Sequence, residues 1–441
     1  MGIEENKFPL SRVFSTYWPL ALSWLLMALE LPALSSIISR LPDPKINLAA
    51  YGGIVFPLAL IIEAPIIMLL AASTALSKDW DSYRKIRKFM HYTSAGLTAL
   101  HLLVVATPLY FFVTRNLIGA PEEIILPARF GLAIMLPWTW SIAYRRFNQG
   151  VLIRFGHTRV VSWGTFVRLT ADITVLLLGF WLGNVAGVVV ATSAVACGVI
   201  SEAIFIGIKV KPVLENQLKT QPTSYPILSR RSFLKYYIPL ALTSLITLVS
   251  QPLISIALSR MPLALDSLAI WPVISGLLFL FRSPGVAYNE VVVSLLEKPG
   301  AYPALRKFAL ILTFGTTGFL LAVIATPLAK FWLIDITSLP QSLYPLTRNA
   351  LWFSLLIPGA NALQSWFQGI LLHAGKTNGI PQAVGVFLGS TILLYIGGII
   401  TAFAPGIYIG VLGFSLGMAL QAFWLKKKSN QVRIHAQIQP I

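Results

Sequence analysis

Residues 19–42 read PLALSWLLMALELPALSSIISRLP and residues 239–262 read PLALTSLITLVSQPLISIALSRMP, a constant offset of 220 with identity at ten of 24 positions. The chain is a duplication. Two further blocks keep nearly the same spacing: Val104-Val105-Ala106-Thr107-Pro108-Leu109 matches Val323-Ile324-Ala325-Thr326-Pro327-Leu328. Gln149-Gly150-Val151-Leu152-Ile153 with Gly156 and Thr158 matches Gln368-Gly369-Ile370-Leu371-Leu372 with Gly375 and Thr377. Each block lies in apolar sequence, and a doubled set of apolar helices is the pattern of a two-lobed transporter.

Of the 441 residues, 56% are hydrophobic and only 11% charged, too little polar material to cover a water-soluble globule. The chain belongs in a bilayer. Apolar runs of about 20 residues are long enough to cross the hydrocarbon. Twelve are read here, at 17–39, 48–74, 90–113, 130–153, 160–182, 184–208, 236–258, 266–295, 308–333, 346–371, 380–403 and 405–425. Backbone groups in lipid must bond within their own segment, which makes these spans helices; a barrel would show alternating segments about ten residues long. The expected fold is all-α and polytopic, with twelve helices in two parallel-repeat lobes of six.

The linker at 209–235 (KVKPVLENQLKTQPTSYPILSRRSFLK) is polar, with three prolines and six basic residues. It divides the expected lobes, 1–208 and 236–425, and a basic tail follows from 426 to 441. The net charge of +18 would suggest nucleic acid in a soluble protein, but its placement argues otherwise. With the N-terminus inside, 23 of the 34 Lys and Arg fall on one face: Lys7, Arg12, Lys78, Arg84, Lys85, Arg87, Lys88, Arg154, Arg159, the linker set, Lys298, Arg306, Lys307, Lys376, Lys426 to Lys428 and Arg433. The positive-inside rule then sets both termini in the cytoplasm, with the basic face toward anionic lipid and no nucleic-acid partner. The expected location is the plasma (inner) membrane. The acidic start before a long first span gives no cleavable signal pattern. A single cysteine, Cys197, excludes an internal disulfide and a cysteine-rich metal site.

Prolines punctuate the first two spans of each half: Pro32, Pro57 and Pro65, then Pro252, Pro272 and Pro284. Each removes a backbone bond, so bent helices are expected there. They serve either as packing kinks or as hinges lining a cleft.

An ionised group at the bilayer centre costs roughly 2.5–3.5 kcal/mol on the insertion scale, so each one within a span needs a reason. These are Glu30, Glu63, Arg145, Arg146, Arg168, Asp172, Glu202, Arg282 and Glu290, with His101 as a neutral candidate. Arg168 and Asp172 share a helix face four residues apart and are expected to pair. Of the adjacent Arg145 and Arg146, one can snorkel to headgroups while the other faces protein as an anion ligand. Glu63 and Arg282 stand 219 apart, each two residues before a proline, and form either an interlobe gate or separate pairs within their lobes. Glu30 matches Ser250 in the other half, and desolvation of such a carboxylate suits proton coupling, as it does for Asp172; a structural hydrogen bond is the alternative. Asn361, Gln364 and Gln368 form one polar stripe beside Trp366, which Gln251 would join as a cleft lining or which serves helix-to-helix bonding. No nucleotide-binding loop, metal cluster or convergent catalytic set is present, so neither an enzyme nor a cofactor is expected.

The six-plus-six duplication with proline-bent helices 1 and 7 resembles the multidrug/oligosaccharidyl-lipid/polysaccharide (MOP) flippase superfamily, which includes the multidrug and toxic compound extrusion (MATE) transporters. Within it the chain is most similar to the progressive ankylosis protein family, through Tyr17-Trp18-Pro19-Leu20, Leu48-Ala49-Ala50-Tyr51-Gly52, Pro239-Leu240-Ala241-Leu242, Ser250-Gln251-Pro252 and Ser259-Arg260. The resemblance implies an alternating-access exporter with substrate bound between lobes. The extrusion branch implies proton or sodium antiport through an acid on helix 1, where this chain has Glu30. The ankylosis branch implies export of anions such as citrate, nucleotide or pyrophosphate, which suits Arg145, Arg146 and Arg282. The expected partners are a small-molecule substrate, a coupling H+ or Na+ and anionic lipid, with the chain acting as a monomer. A multidrug antiporter, a lipid-linked oligosaccharide flippase and a non-transporting scaffold are the competing readings.

Overall fold

A computed structural model describes residues 8–223, 227–376 and 378–438. Lys7, linker residues 224–226, Thr377 and the Arg433 side chain, used above, lie outside the described residues. All regular structure among the described residues is helical. The first repeat holds α1 (Leu10–Ala28), α2 (Glu30–Ile38), α3 (Pro44–Ala50), α4 (Phe56–Ile67), α5 (Leu69–Leu76), α6 (Trp80–Ala106), α7 (Leu109–Phe111), α8 (Glu122–Ile134), α9 (Leu136–Arg154), α10 (Thr158–Leu182) and α11 (Gly187–Val213). The second holds α12 (Arg230–Leu248), α13 (Ser250–Ser259), α14 (Ala264–Leu295), α15 (Ala301–Ala325), α16 (Leu328–Lys330), α17 (Tyr344–Trp352), α18 (Leu356–His373), α19 (Gly379–Thr401) and α20 (Gly406–Ile438).

Among the described residues ten helical segments are long and apolar enough to cross a bilayer, or eleven if α8 and α9, bent by 42° at Met135, count as one. Twelve were expected. The segment at 346–371 instead falls on α17 and α18, interrupted at 353–355, and α18 carries the polar stripe Asn361, Gln364 and Gln368, which lowers its hydropathy.

The duplication extends to backbone conformation. Positive φ angles recur at repeat-matched positions: Asp43 (49°) and Leu263 (58°), Gly119 (77°) and Ser338 (50°), Gly156 (81°) and Gly375 (66°), Gly183 (70°) and Ala402 (46°). At two of these pairs the left-handed turn survives where Ser or Ala replaces glycine, so the chain path and not the residue type is what the halves share. Matched caps also open the last helix of each repeat. The Val188 N–H donates to Asn47 Oδ1 (3.1 Å) and the Ile407 N–H to Ser267 Oγ (3.0 Å), satisfying amides that a helix start leaves without an intrahelical partner.

The prolines act unequally. Pro32 sits just past the break between α1 and α2, and Pro252 just past that between α12 and α13, since neither can donate to the carbonyl four residues back. In the first repeat Pro65 is followed by a break at Met68. The bend expected at its counterpart Pro284 is not a break: α14 runs unbroken for 32 residues through Pro272 and Pro284. The carbonyl freed by Pro284 has a substitute donor there. Ser283 donates its hydroxyl to the Leu280 carbonyl (2.9 Å), the group that Pro284 leaves without its N–H partner. Ala64 holds that place in the first repeat and has no hydroxyl to give.

The chain packs as two units, one comprising the described residues through Ser36 and from Arg260 onward, the other Ile37–Ser259. Each unit thus takes its opening helix from the other repeat. In the first unit α1 packs on α14, and Tyr17 donates to the Pro284 carbonyl (3.2 Å). In the second α12 packs on α4, where Tyr237 donates to the Pro65 carbonyl (2.5 Å) and Ser244 to the Ala64 carbonyl (2.6 Å). The lobe boundary expected at 209–235 therefore separates the sequence repeats; the packing units are divided elsewhere, because the tyrosine of each opening helix finds its acceptor on the other repeat's second helix.

Candidate functional site

Six of the nine charges that the sequence places within spans converge in the second unit, on α4, α9, α10 and α11. Arg145 of α9 meets Glu202 of α11 at 2.5 Å (Nη1 to Oε2), with the two side chains 6% and 0% exposed. One turn along α9, Gln149 donates Nε2–H to the other oxygen of Glu202 at 2.9 Å. Arg168 of α10 places Nε 4.0 Å from Glu202. Asp172, one turn beyond Arg168, is buried against Gly198 of α11, and a Cβ there would fall on its carboxylate. Small residues set this close approach: Gly198 and Gly164 let α10 and α11 come together around the charges.

Glu63 of α4 is 4% exposed, and its Oε2 is buried without a hydrogen-bond partner. It interacts electrostatically with Arg146 above all, then with Arg145 and Arg168. Arg146 is half-buried, and its Nε is likewise buried without a hydrogen bond. The two adjacent arginines thus divide their roles. Arg145 is held by Glu202, a fixed pair in which each charge offsets the desolvation of the other. Arg146 has the looser attraction of Glu63 and, after it, Glu202. Three arginines face three acids, so the cluster balances when every group is ionised.

The first unit repeats this geometry with a single charge, Arg282 at the position matching Glu63. Gln364 and Gln421 stand at the positions matching Arg145 and Glu202, and Gln364 donates to Gln421 Oε1 (3.2 Å) and to the Met418 carbonyl (2.8 Å). Thr391 matches Asp172 and packs on Gly417 as Asp172 does on Gly198. The polar stripe of α18 is spent on neighbouring helices. Gln364 bonds α20, Gln368 Oε1 lies 3.5 Å from Asn289 Nδ2 on α14, and Asn361 is buried beside Gly285 of α14 with Oδ1 unsatisfied. Trp366 is buried against Tyr302.

The other candidates lie apart from the charge cluster. Arg282 of α14, in the first unit, holds its guanidinium 5.4 Å from the ring centre of Phe414, a cation–π arrangement. Arg282 belongs to the first unit and Glu63 to the second. Glu30 opens α2, where a carboxylate suits the positive end of the helix. Gln251 sits half-buried on α13 of the second unit. His101 is structural: Nε2 bonds the Leu132 carbonyl (2.9 Å) and Nδ1 lies 3.3 Å from Thr139 Oγ1. Among the described residues no group of His, Cys, Asp and Glu could hold a metal ion.

Sequence reasoning picked out Glu63, Arg145, Arg146, Arg168, Asp172 and Glu202 as charges within spans and paired Arg168 with Asp172, but it did not join Glu202 to Arg145 and gave Gln149 no role. Glu202 lies 57 residues from Arg145, with no periodicity to link them. The repeat alignment carries the missing signal, since Arg145 and Glu202 both fall opposite glutamines.

No protein-family model and no curated protein sequence matches the chain. Solved structures do. An inward closed conformation of the lipid II flippase MurJ aligns with a TM-score of 0.70 at 17% identity, over 95% of this chain and 91% of that one. An inward-facing multidrug resistance MATE transporter of the MOP superfamily aligns with a TM-score of 0.65 at 15% identity, over 94% and 98%. A MOP superfamily transporter from Pyrococcus furiosus aligns at 0.60 and 14%, over 97% of each chain. These neighbours do not select the progressive ankylosis branch. The chain has the helical membrane fold shared by the MATE transporters and the MurJ flippase of the MOP superfamily.

Proposed function

We propose that the chain is a secondary transporter that works by alternating access and carries a small organic anion together with a proton, using the charge cluster of the second unit. The observation that carries this reading is Arg146, a cation within the membrane span with no ion pair within 4 Å among the described residues, whereas Arg145, whose Nε is also without a hydrogen bond, is paired through Nη1 with Glu202. Charge balance gives the coupling. With Glu63 ionised the cluster is neutral and an added anion is repelled by three carboxylates. A proton on Glu63 leaves one net positive charge, which the anion cancels. Proton and anion therefore favour each other's binding, and no metal or cofactor is required.

The test is flux from proteoliposomes, comparing citrate and nucleotides with a cationic dye, with and without a pH gradient. Anion flux that rises as pH falls and is lost in Arg146→Gln supports the reading. Dye flux indifferent to Arg146→Gln overturns it.

A second reading is a lipid-linked flippase, favoured by the MurJ likeness and by a groove of about 620 Å³ in the first unit, lined almost wholly by apolar side chains including Leu277, Phe281, Ile311, Phe319 and Phe331. Such a groove has room for an acyl or prenyl chain. Movement of a fluorescent lipid-linked sugar between leaflets, in place of citrate flux, would select it.

A further inference from the structure

A second cavity, of about 670 Å³, opens in the second unit between α6 and the start of α12. Its polar rim carries Lys85, Lys88 and Arg230; its apolar wall carries Phe89, Tyr92 and Phe233. The wall is built firmly. Phe89 packs edge-on to Phe233 and Tyr237, with ring centres 4.8 and 5.0 Å apart, and Phe233 stacks on Tyr237 at 5.5 Å. Lys85 Nζ donates to the Leu228 carbonyl at 2.9 Å, and Lys88 lies over Tyr92 at 5.8 Å, so both cations are held at the rim.

The matching place in the first unit has a more apolar lining. There Tyr17 and Phe308 keep the same edge-on contact at 5.0 Å, but Phe8, Leu10, Ala304 and Leu312 pack over it as part of a continuous apolar cluster. By repeat alignment these stand where the second unit has Leu228, Arg230, Lys85 and Thr93. One helix pair, used twice, therefore carries apolar side chains in one unit where the other has Arg230, Lys85 and Thr93, while Lys88 keeps a cationic counterpart in Lys307. Packing alone does not require the change, since the apolar version exists in the same chain.

From this contrast we infer that the cavity between α6 and α12 binds one anionic phospholipid of the adjacent leaflet, its phosphate against Lys85, Lys88 and Arg230 and one acyl chain along Phe89, Tyr92 and Phe233. The charge fits a phosphodiester, whose single negative charge and two free oxygens suit lysine and arginine donors. The aromatic wall fits a hydrocarbon chain and has no use for a free phosphate. A zwitterionic lipid gains less, because its own ammonium competes for the phosphate and meets three cations.

The experiment is native mass spectrometry of the full chain in non-ionic detergent, titrated with dioleoylphosphatidylglycerol or dioleoylphosphatidylcholine. One phosphatidylglycerol is retained in preference to phosphatidylcholine, and Lys85→Ala with Arg230→Ala weakens its retention by about 30-fold, two rim charges being lost. Thr93→Leu, which copies the first unit without altering charge, weakens it too; Lys85→Arg keeps it. Arg159→Ala with Lys209→Ala, an equal loss of charge away from the cavity, leaves it unchanged. An equal loss in that control pair would mean diffuse surface attraction and overturns the site. Full displacement by millimolar glycerol 3-phosphate would make the free phosphate the occupant and overturns the lipid. Both readouts are independent of transport, so they stand or fall apart from the anion-carrier reading.

Discussion

Tyr17 donates its hydroxyl to the carbonyl of Pro284, and its repeat counterpart Tyr237 donates to the carbonyl of Pro65, the counterpart of Pro284. The two bonds are one contact made twice, and in both the tyrosine comes from the opposite repeat. Each joins an opening helix to the unit that receives it. Tyr17→Phe and Tyr237→Phe keep the ring packing and remove the bond, so each is expected to cost about 1 kcal/mol. Thermal unfolding in detergent measures it; no change in either variant would show that ring packing alone seats these helices.

The Arg145–Glu202 pair offers a sharper comparison, because the other repeat already contains its neutral version. Arg145→Gln alone leaves Glu202 buried with only the longer contact to Arg168 and is expected to cost up to about 3–5 kcal/mol. Arg145→Gln with Glu202→Gln copies Gln364 and Gln421 and is expected to recover most of that loss. A double variant as unstable as the single one would count against the equivalence of the two sites.

Ser283→Ala removes the hydroxyl that serves the Leu280 carbonyl above Pro284. A buried acceptor left unpaired costs about 1–3 kcal/mol, while α14 is expected to stay continuous there, as α4 does through Pro65 without a serine before it. Stability by thermal unfolding and protease accessibility near residue 284 report the two outcomes.

For transport, the sign of the pH dependence follows from the charge count. The proton on Glu63 supplies the net positive charge that the anion neutralises, so anion flux is expected to fall as pH rises. Glu63→Gln fixes the neutral state, and its flux is expected to lose this dependence and persist at high pH. A pH profile in proteoliposomes decides it; an unaltered profile in Glu63→Gln would move the proton site to another group.

Gly198→Ala is expected to be strongly disruptive, since its Cβ would land on the Asp172 carboxylate and drive α10 from α11. The matching Gly417→Ala meets the Thr391 hydroxyl and the Phe387 ring. Both variants should lower stability, but only Gly198→Ala displaces a charged member of the cluster. Flux per folded molecule therefore separates them.

Much of the site was visible as isolated charges. Glu63, Arg145, Arg146 and Asp172 stood out because charge in apolar sequence is expensive, and the structure places them in one unit. What joins them was hidden for a physical reason. Local spacing reports only which residues share a helix face, whereas Glu202 reaches Arg145 from another helix, through a contact that Gly198 and Gly164 permit by their lack of side chain. The stripe of Asn361, Gln364 and Gln368 was equally visible, but its bonds to α14 and α20 were not.

The sequence by itself determined that the chain is a duplicated set of membrane helices, because hydrocarbon forces each backbone segment to satisfy its own hydrogen bonds and so writes every span into local composition. Only the tertiary structure decided which helix packs on which: that α1 joins α14 and α12 joins α4, and that Arg145, not Arg146, takes Glu202. Lipid tails are as apolar as leucine, so hydropathy does not distinguish one helix neighbour from another. Shape and a few polar contacts, such as a tyrosine hydroxyl beside a proline carbonyl, make that choice.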